Sequence, residues 1–375
     1  MKISKFFLYS VIVLEIVIIL FLGFKIVRDK YFVDDYKCID CNVLLITMDA
    51  LRADHMGVYG YERNTTPNID KLAEQGIVFE NFIANGAVTF ISLPSMFSGK
   101  YPKVKELKFI TFNTSEINTS EKIVYYFIPK ESDTFTKIFS LRGYRTILVN
   151  ANDISYTNIF KDFQEKTMLG TEVDDLGVAD NVMIAINKSK NDKFFLWAHF
   201  LSPHVPYLPP YPYNNSFYQD EYYNKLNVID KSLINGLAYL NTQEFDFYVS
   251  QYDGEILSVD NQIQRIINFL EKEKLLDNTL VIISADHGES FGENNNIYFG
   301  HGSLYDTNIR IPLIIYNPKT NIHGRIYNQI QGIDLFPTLF NIVGIRNFFE
   351  SDGKSFHGII TENKTSGNNI AFSLV

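Results

Sequence analysis

Cysteine is nearly absent: the chain has two in 375 residues, Cys38 and Cys41. A four-cysteine zinc site would need a second pair, so it is excluded. No thioredoxin-like context follows this C-x-x-C, which sets aside a redox motif. What remains is a pair of incidental cysteines in a stalk, or a local disulfide formed in an oxidising compartment. Positive charge is also short, with 34 Lys+Arg against 43 Asp+Glu and a formal charge of −9. That balance argues against nucleic acid as a partner. It leaves small anionic substrates open, because local charge and metal handle those. Internal repeats are missing too. Apolar residues are plentiful: 46% hydrophobic and 21% charged residues suit a folded core. The length allows one large α/β domain, or such a domain with a small appendage.

The amino terminus carries a long apolar run over residues 6–27. A helix needs ~20 such residues to cross a bilayer. Lys2 and Lys5 precede the run and no A-x-A-like cleavage site follows, so it reads as an uncleaved signal anchor. Glu15 sits mid-span, where a charge is costly unless paired. Lys25, Arg28 and Lys30 rival the two leading lysines, so charge asymmetry does not fix the orientation. The reading is a transmembrane helix over 1–28, a stalk over 29–41 and a catalytic domain over 42–375. The protein is then single-pass in the membrane, with its catalytic domain extracytoplasmic.

From residue 42 onward, strand and helix patterns alternate. Strands are expected over 42–48, 145–149, 194–200, 279–284 and 312–316. Helices are expected from Thr66-Pro67 to Gly76, over 133–141, 178–188 and 247–272, and from about Asp334. Residues 103–125 read as an irregular insertion, and 207–223 as a loop over the site. The fold class is α/β: a mostly parallel central sheet with helices on both faces. Ligands in such folds gather beyond the carboxyl ends of the strands.

The chemistry-bearing residues follow strands. Asp49 comes directly after the first. Asp286-His287 comes after V-I-I-S-A. Each alone reads equally well as a turn or cap, but together they make a plausible divalent-metal cradle. Ser92-Leu93-Pro94 opens a helix, with Pro94 in the first turn and Ser92 or Leu93 at the cap. A hydroxyl there feels the positive end of the helix dipole, and a metal would activate it further. His199 and His204 lie in W-A-H-F-L-S-P-H, and His301 in F-G-H-G. Three histidines in such settings suggest an anion site.

The stretch M-D-A-L-R-A-D-H-M-G-V-Y-G-Y with T-T-P-N-I-D-K-L-A-E-Q-G resembles the amino-terminal signature of the sulfatase family. So do residues 195–210, Y-D-G-E-I at 252–256, D-H-G-E at 286–289 and residues 300–312, in order. The resemblance implies an alkaline-phosphatase-like fold and one divalent metal ion: calcium first, with manganese or magnesium as alternatives. It assigns Asp49, Asp286 and His287 as metal ligands and Ser92 as the nucleophile. It assigns His204 to the leaving group and His301 to the anion. Arg52 and His199 are candidate substrate-binding residues, with a structural ion pair the alternative for Arg52.

Two departures stand out. Family members carry C-x-P-S-R or S-x-P-x-R, whose first residue is oxidised to formylglycine, but Met96 follows Ser92-Leu93-Pro94-Ser95. They also carry paired aspartates where this chain has Asp49-Ala50, so one ligand is missing or comes from elsewhere. The chain ends at residues 371–375 on the start of a strand, where relatives continue into a small subdomain, so that subdomain reads as short or missing. The implied activity is sulfate ester hydrolysis on a sulfated or phosphorylated glycan, lipid or small molecule. A phosphodiesterase or a phosphoglycerol or phosphoethanolamine transferase of the cell envelope is the rival. A degenerate anion- or glycan-binding member is the non-catalytic alternative.

Overall fold

The computed structural model describes Glu15 and residues 36–114, 119–218, 242–293, 299–346, 350–362 and 371–374. The expected membrane anchor lies outside these residues, Glu15 apart. Among the described residues, no helix is long and apolar enough to cross a membrane.

In chain order the strands are β1 (Asn42–Met48), β2 (Ile77–Ile83), β3 (Leu107–Thr114), β4 (Thr119–Tyr126), β5 (Arg145–Asn150), β6 (Glu165–Met168) and β7 (Phe194–Phe200). They continue with β8 (Thr279–Ala285), β9 (Ser290–Phe291), β10 (Phe299–Gly300), β11 (Arg310–Ile311), β12 (Leu313–Tyr316) and β13 (Gly324–Gln331). The main sheet runs β11-β2-β12-β8-β1-β7-β5-β6, with β13 beside β2. Its centre is parallel: β8 and β7 flank β1, and β5 and β6 follow. β1, β7 and β8 are buried along their whole length. A strand sealed on both faces has no solvent side to pattern, which is why these segments read as unbroken apolar runs.

The sheet is mixed rather than mostly parallel on its other side. β12 runs antiparallel to both β8 and β2, and β11 antiparallel to β2. A parallel return from β8 would need a crossover helix. Among the described residues there, the only helix is the four-residue Asp306–Ile309, because residues 286–293 and 299–312 are committed to the site. The 103–125 segment is likewise not irregular. β3 and β4 pair as an antiparallel hairpin from Leu107↔Tyr126 to Thr114↔Thr119.

Helices Phe135–Leu141, Asp175–Ser189 and Thr242–Lys272 form where apolar spacing placed them, each starting or ending within a few residues. Thr134 and Asp174 cap two of them through side-chain oxygens. An aromatic cluster presses the helix Thr89–Ser98 onto the sheet. Phe97 lies 4.3 Å from Trp197 and 4.9 Å from Phe336, centroid to centroid. That packing holds the helix against the sheet. Cys38 and Cys41 form a buried disulfide, and Cys38 N–H donates to Ile342 O at 2.8 Å. The pair is therefore a staple and not incidental.

Candidate active site at the strand ends

Asp49 follows β1, Asp286 follows β8, and His199 lies near the end of β7. Thr47 is in register with His199 on one side and Ser284 on the other, so three neighbouring strands deliver these groups to one crevice. All three side chains are fully buried, and their donor atoms lie within 4.8 Å of one another. Asp286 Oδ1 accepts the Ala50 and His287 amides at 3.2 and 2.8 Å. Asp49 Oδ2 accepts from Asn152 Nδ2 at 2.8 Å and lies 3.6 Å from His199 Nε2. Asp286 Oδ2 and His199 Nε2 have no hydrogen-bond partner. Two orphaned polar atoms in one buried cluster are costly unless a ligand meets them. Carboxylate oxygen and imidazole nitrogen are donors for a divalent cation, so the residues fit one.

The ring of His199 is held from behind. Its Nδ1 lies 2.8 Å from Thr47 Oγ1, which also accepts Trp197 Nε1–H at 2.8 Å. With Nδ1–H donated to Thr47, the Nε2 lone pair is free for the cluster. His199 thus stands among the ligand candidates, in place of the substrate-binding role expected of it. His287 is adjacent: its Nε2 is 3.4 Å from Asp49 Oδ1 and 3.7 Å from Asp286 Oδ2. The missing second aspartate leaves Ala50 in the left-handed region at φ 62, a conformation costly for a non-glycine residue.

The hydroxyl facing this cluster belongs to Thr89, not Ser92. The helix starts at Thr89 after Val88, and Pro94 is inside it rather than in the first turn. That start turns Ser92 away: its Oγ donates to the Asp286 carbonyl at 2.6 Å. Thr89 Oγ1 instead lies 3.4 Å from Asp49 Oδ1 and 3.1 Å from His287 Nε2.

Three imidazoles line up beside it. His301 is 4.6 Å from His287 and 4.9 Å from His204, centroid to centroid. Glu289 Oε1 lies 3.3 Å from His301 Nδ1. Burial pulls the His301 pKa down, but the Glu289 charge and hydrogen bond, with Asp49 and Asp286 behind, raise it to about 9. Burial likewise pushes the Asp49 carboxyl up. The histidines around it, His204 first and then His199 and His287, outweigh that and hold it well below the usual carboxylate range. Burial also raises Glu289, and His301 outweighs it, lowering that carboxyl too.

Arg52 is held in ion pairs. Its Nε and Nη2 grip Asp54 at 2.9 and 2.8 Å, and Nη1 meets Glu289 O at 3.2 Å and the Glu293 carboxylate. The structural ion pair is what forms. The Y-D-G-E stretch is scaffold. Tyr252 Oη donates to Ala50 O at 2.7 Å and accepts Arg52 N–H at 2.9 Å. Asp253 takes His55, Tyr61 and Arg63, and Glu255 accepts the Leu208 amide. Gly288 is required by space, since a Cβ there would sit 2.0 Å from Thr307 O.

Sequence reasoning missed Thr89, Asn152 and Glu289 as site residues. The only signal for Thr89 was a row of hydroxyls at 89, 92, 95 and 98. Spacing could not choose among the four. Asn152 carried no signal.

A family model described as Sulfatase matches residues 41–345. An arylsulfatase of Clostridium perfringens is 25% identical, with 87% of this chain and 79% of that protein covered. An N-acetylglucosamine-6-O-sulfatase of Bacteroides thetaiotaomicron is 23% identical, covering 86% and 72%. Among solved structures, the phosphonate monoester hydrolase of Agrobacterium radiobacter superposes with a TM-score of 0.70 at 19% identity, covering 87% of this chain and 78% of that one. A protein solved in complex with its substrate D-glucosamine-2-N,6-O-disulfate gives 0.66 at 19%, covering 86% and 80%. These two structural likenesses speak for the fold.

Proposed function

The chain belongs to the sulfatase family, matched over residues 41–345, and is a sulfatase-like hydrolase; from that premise we propose that it cleaves an anionic ester of the sulfate or phosphate type at the Asp49–His199–Asp286 cluster, with one divalent cation. The observation that carries this reading is the pair of orphaned buried atoms, His199 Nε2 and Asp286 Oδ2, in a cluster that otherwise satisfies itself.

Asp49, His199 and Asp286 would hold the cation, and His287 Nε2 lies 3.4 Å from Asp49 Oδ1 beside them. When bound, the cation draws charge from the ester oxygens and from the attacking hydroxyl. The imidazole of His199 tips the donor set from calcium towards manganese. Thr89 faces the ester, because its oxygen is the hydroxyl in the cluster. His301, kept cationic by Glu289, meets the anion. His204 donates Nδ1–H to Val205 O at 2.7 Å, which leaves Nε2 to serve the leaving oxygen. Asn152 and Tyr252 hold Asp49 and its loop in place.

The sugar sulfates in the names of relatives make sulfated sugars the first substrates to try. The Cys38–Cys41 disulfide supports an oxidising compartment, in keeping with an extracytoplasmic domain held by the apolar run at residues 6–27. The test is cation binding by calorimetry together with turnover of 4-nitrophenyl sulfate and bis(4-nitrophenyl) phosphate, before and after chelation. One bound cation and chelator-sensitive turnover of either ester are expected. A protein that binds no cation and cleaves neither ester overturns the reading and leaves the non-catalytic one.

A further inference from the structure

We propose that Thr89 is the covalent nucleophile of this enzyme and that its substrate is a phosphodiester rather than a sulfate ester. The inference rests on the ester-cleaving reading above and names its nucleophile and substrate class.

Position comes first. Thr89 Oγ1 is within 3.4 Å of Asp49 Oδ1 and 3.1 Å of His287 Nε2. Nδ1 of His287 lies 2.8 Å from the Gly288 carbonyl. A carbonyl only accepts, so Nδ1 carries a hydrogen, and in the neutral ring Nε2 is bare. The bare nitrogen and the Asp49 carboxylate are both acceptors, so the Thr89 hydrogen points at them and its lone pairs stay free. Ser92 has no such freedom, since its hydrogen is held by Asp286 O at 2.6 Å. Both hydroxyls are buried, so water does not compete for either.

Chemistry comes second. Threonine Cβ bears one hydrogen and a methyl group. Oxidising it gives a ketone, so no aldehyde forms at the residue that faces the cluster. An aldehyde hydrate can expel a bound sulfate by losing the proton of its second hydroxyl. Thr89 has no second hydroxyl. A group transferred to it is an ordinary alkyl ester, released only by a second displacement at the central atom. An alkyl sulfate resists that attack. Phosphorus accepts it in line, with charge spread over the equatorial oxygens. A phosphodiester also carries the single negative charge of a sulfate ester, so the same imidazole row suits it.

The balance is as follows. The Thr89 Oγ1–P bond forms as the bond from phosphorus to one alcohol oxygen breaks. The Thr89 proton passes to the Asp49–His287 pair, and the leaving alcohol takes a proton from the His204–His301 pair. Water, or an acceptor alcohol, then attacks phosphorus and returns a proton to His204–His301. The Thr89 bond to phosphorus breaks and Thr89 recovers its proton. With water, the products are one alcohol and one phosphate monoester.

The experiment is rapid acid quench of the full chain turning over bis(4-nitrophenyl) phosphate with manganese, followed by tandem mass spectrometry of the peptide containing residues 89–98. The expected result is a 4-nitrophenyl phosphoryl group on Thr89. It is retained in Ser92→Ala, found at the same position in Thr89→Ser and absent in Thr89→Val. Thr89→Val is isosteric, so its melting temperature checks the fold while turnover falls roughly 10³-fold. An adduct on Ser92, or turnover that survives Thr89→Val, overturns the proposal. So does faster cleavage of 4-nitrophenyl sulfate than of the phosphodiester with two hydrogens lost at Ser92, a result that leaves the ester-cleaving reading standing. Failure to cleave either ester or to bind a cation sinks both.

Discussion

Thr47→Val separates the two tasks assigned to one buried hydroxyl. Thr47 Oγ1 lies 2.8 Å from both His199 Nδ1 and Trp197 Nε1, and all three residues are fully buried. Valine keeps the shape and removes the oxygen. Trp197 N–H then loses its acceptor, which costs about 1–3 kcal/mol of stability. The His199 ring loses the contact that orients it and selects its tautomer. If Nε2 is a ligand, loss of that support weakens cation binding roughly 10–100-fold, or about 1.4–2.7 kcal/mol. Calorimetric titration with manganese reads the affinity, and thermal unfolding of the cation-free protein reads the stability. Thr47→Ser is the control. It keeps the oxygen and removes a buried methyl group, so stability falls by about 1 kcal/mol while affinity stays near the parent's. If Thr47→Val lowers the melting temperature and leaves cation affinity unchanged, His199 is not a ligand and the argument from orphaned atoms fails.

Three further expectations follow from the same geometry. Tyr252→Phe strips one buried carbonyl and one buried amide of their partner, at Ala50 and Arg52. It should cost about 2–4 kcal/mol in urea unfolding and weaken cation binding through the Asp49 loop; unchanged stability would contradict the bracing role. Arg52→Lys breaks the fork on Asp54 and should lower stability by about 2 kcal/mol with little change in KM, whereas a tenfold rise in KM at unchanged melting temperature would return Arg52 to the substrate. His301 titrates at about 9 in the cation-free protein, above the ordinary imidazole value. Because the folded value is the higher one, its pairing with Glu289 stabilises fully at pH below about 6.5 and is lost as pH rises through about 9. Turnover that needs cationic His301 falls on the same alkaline side, and a cation bound beside it moves that limb to lower pH. Imidazole NMR titration checks this, and an ordinary value in the cation-free protein would contradict it.

The amino-acid sequence by itself determined the central strands, since β1, β7 and β8 are sealed on both faces and so read as apolar runs. It determined that Asp49 and Asp286 meet, because each directly follows such a strand and parallel strands end on one side of a sheet. It located the long helices from their spacing. Tertiary structure alone decided the rest, and for one reason: these outcomes depend on what packs against a residue rather than on its neighbours in sequence. Phe97 against Trp197 and Phe336 docks the helix Thr89–Ser98, and in that position Thr89 rather than Ser92 meets Asp49 and His287 among hydroxyls three residues apart. The pairing of Thr47 with His199 aims a histidine expected to bind substrate at the Asp49–Asp286 cluster instead. Asp54 and Glu293 claim Arg52, which no local pattern could foretell. The antiparallel return of β12 has the same origin, because it depends on the described residues 286–293 and 299–312 being committed to the site.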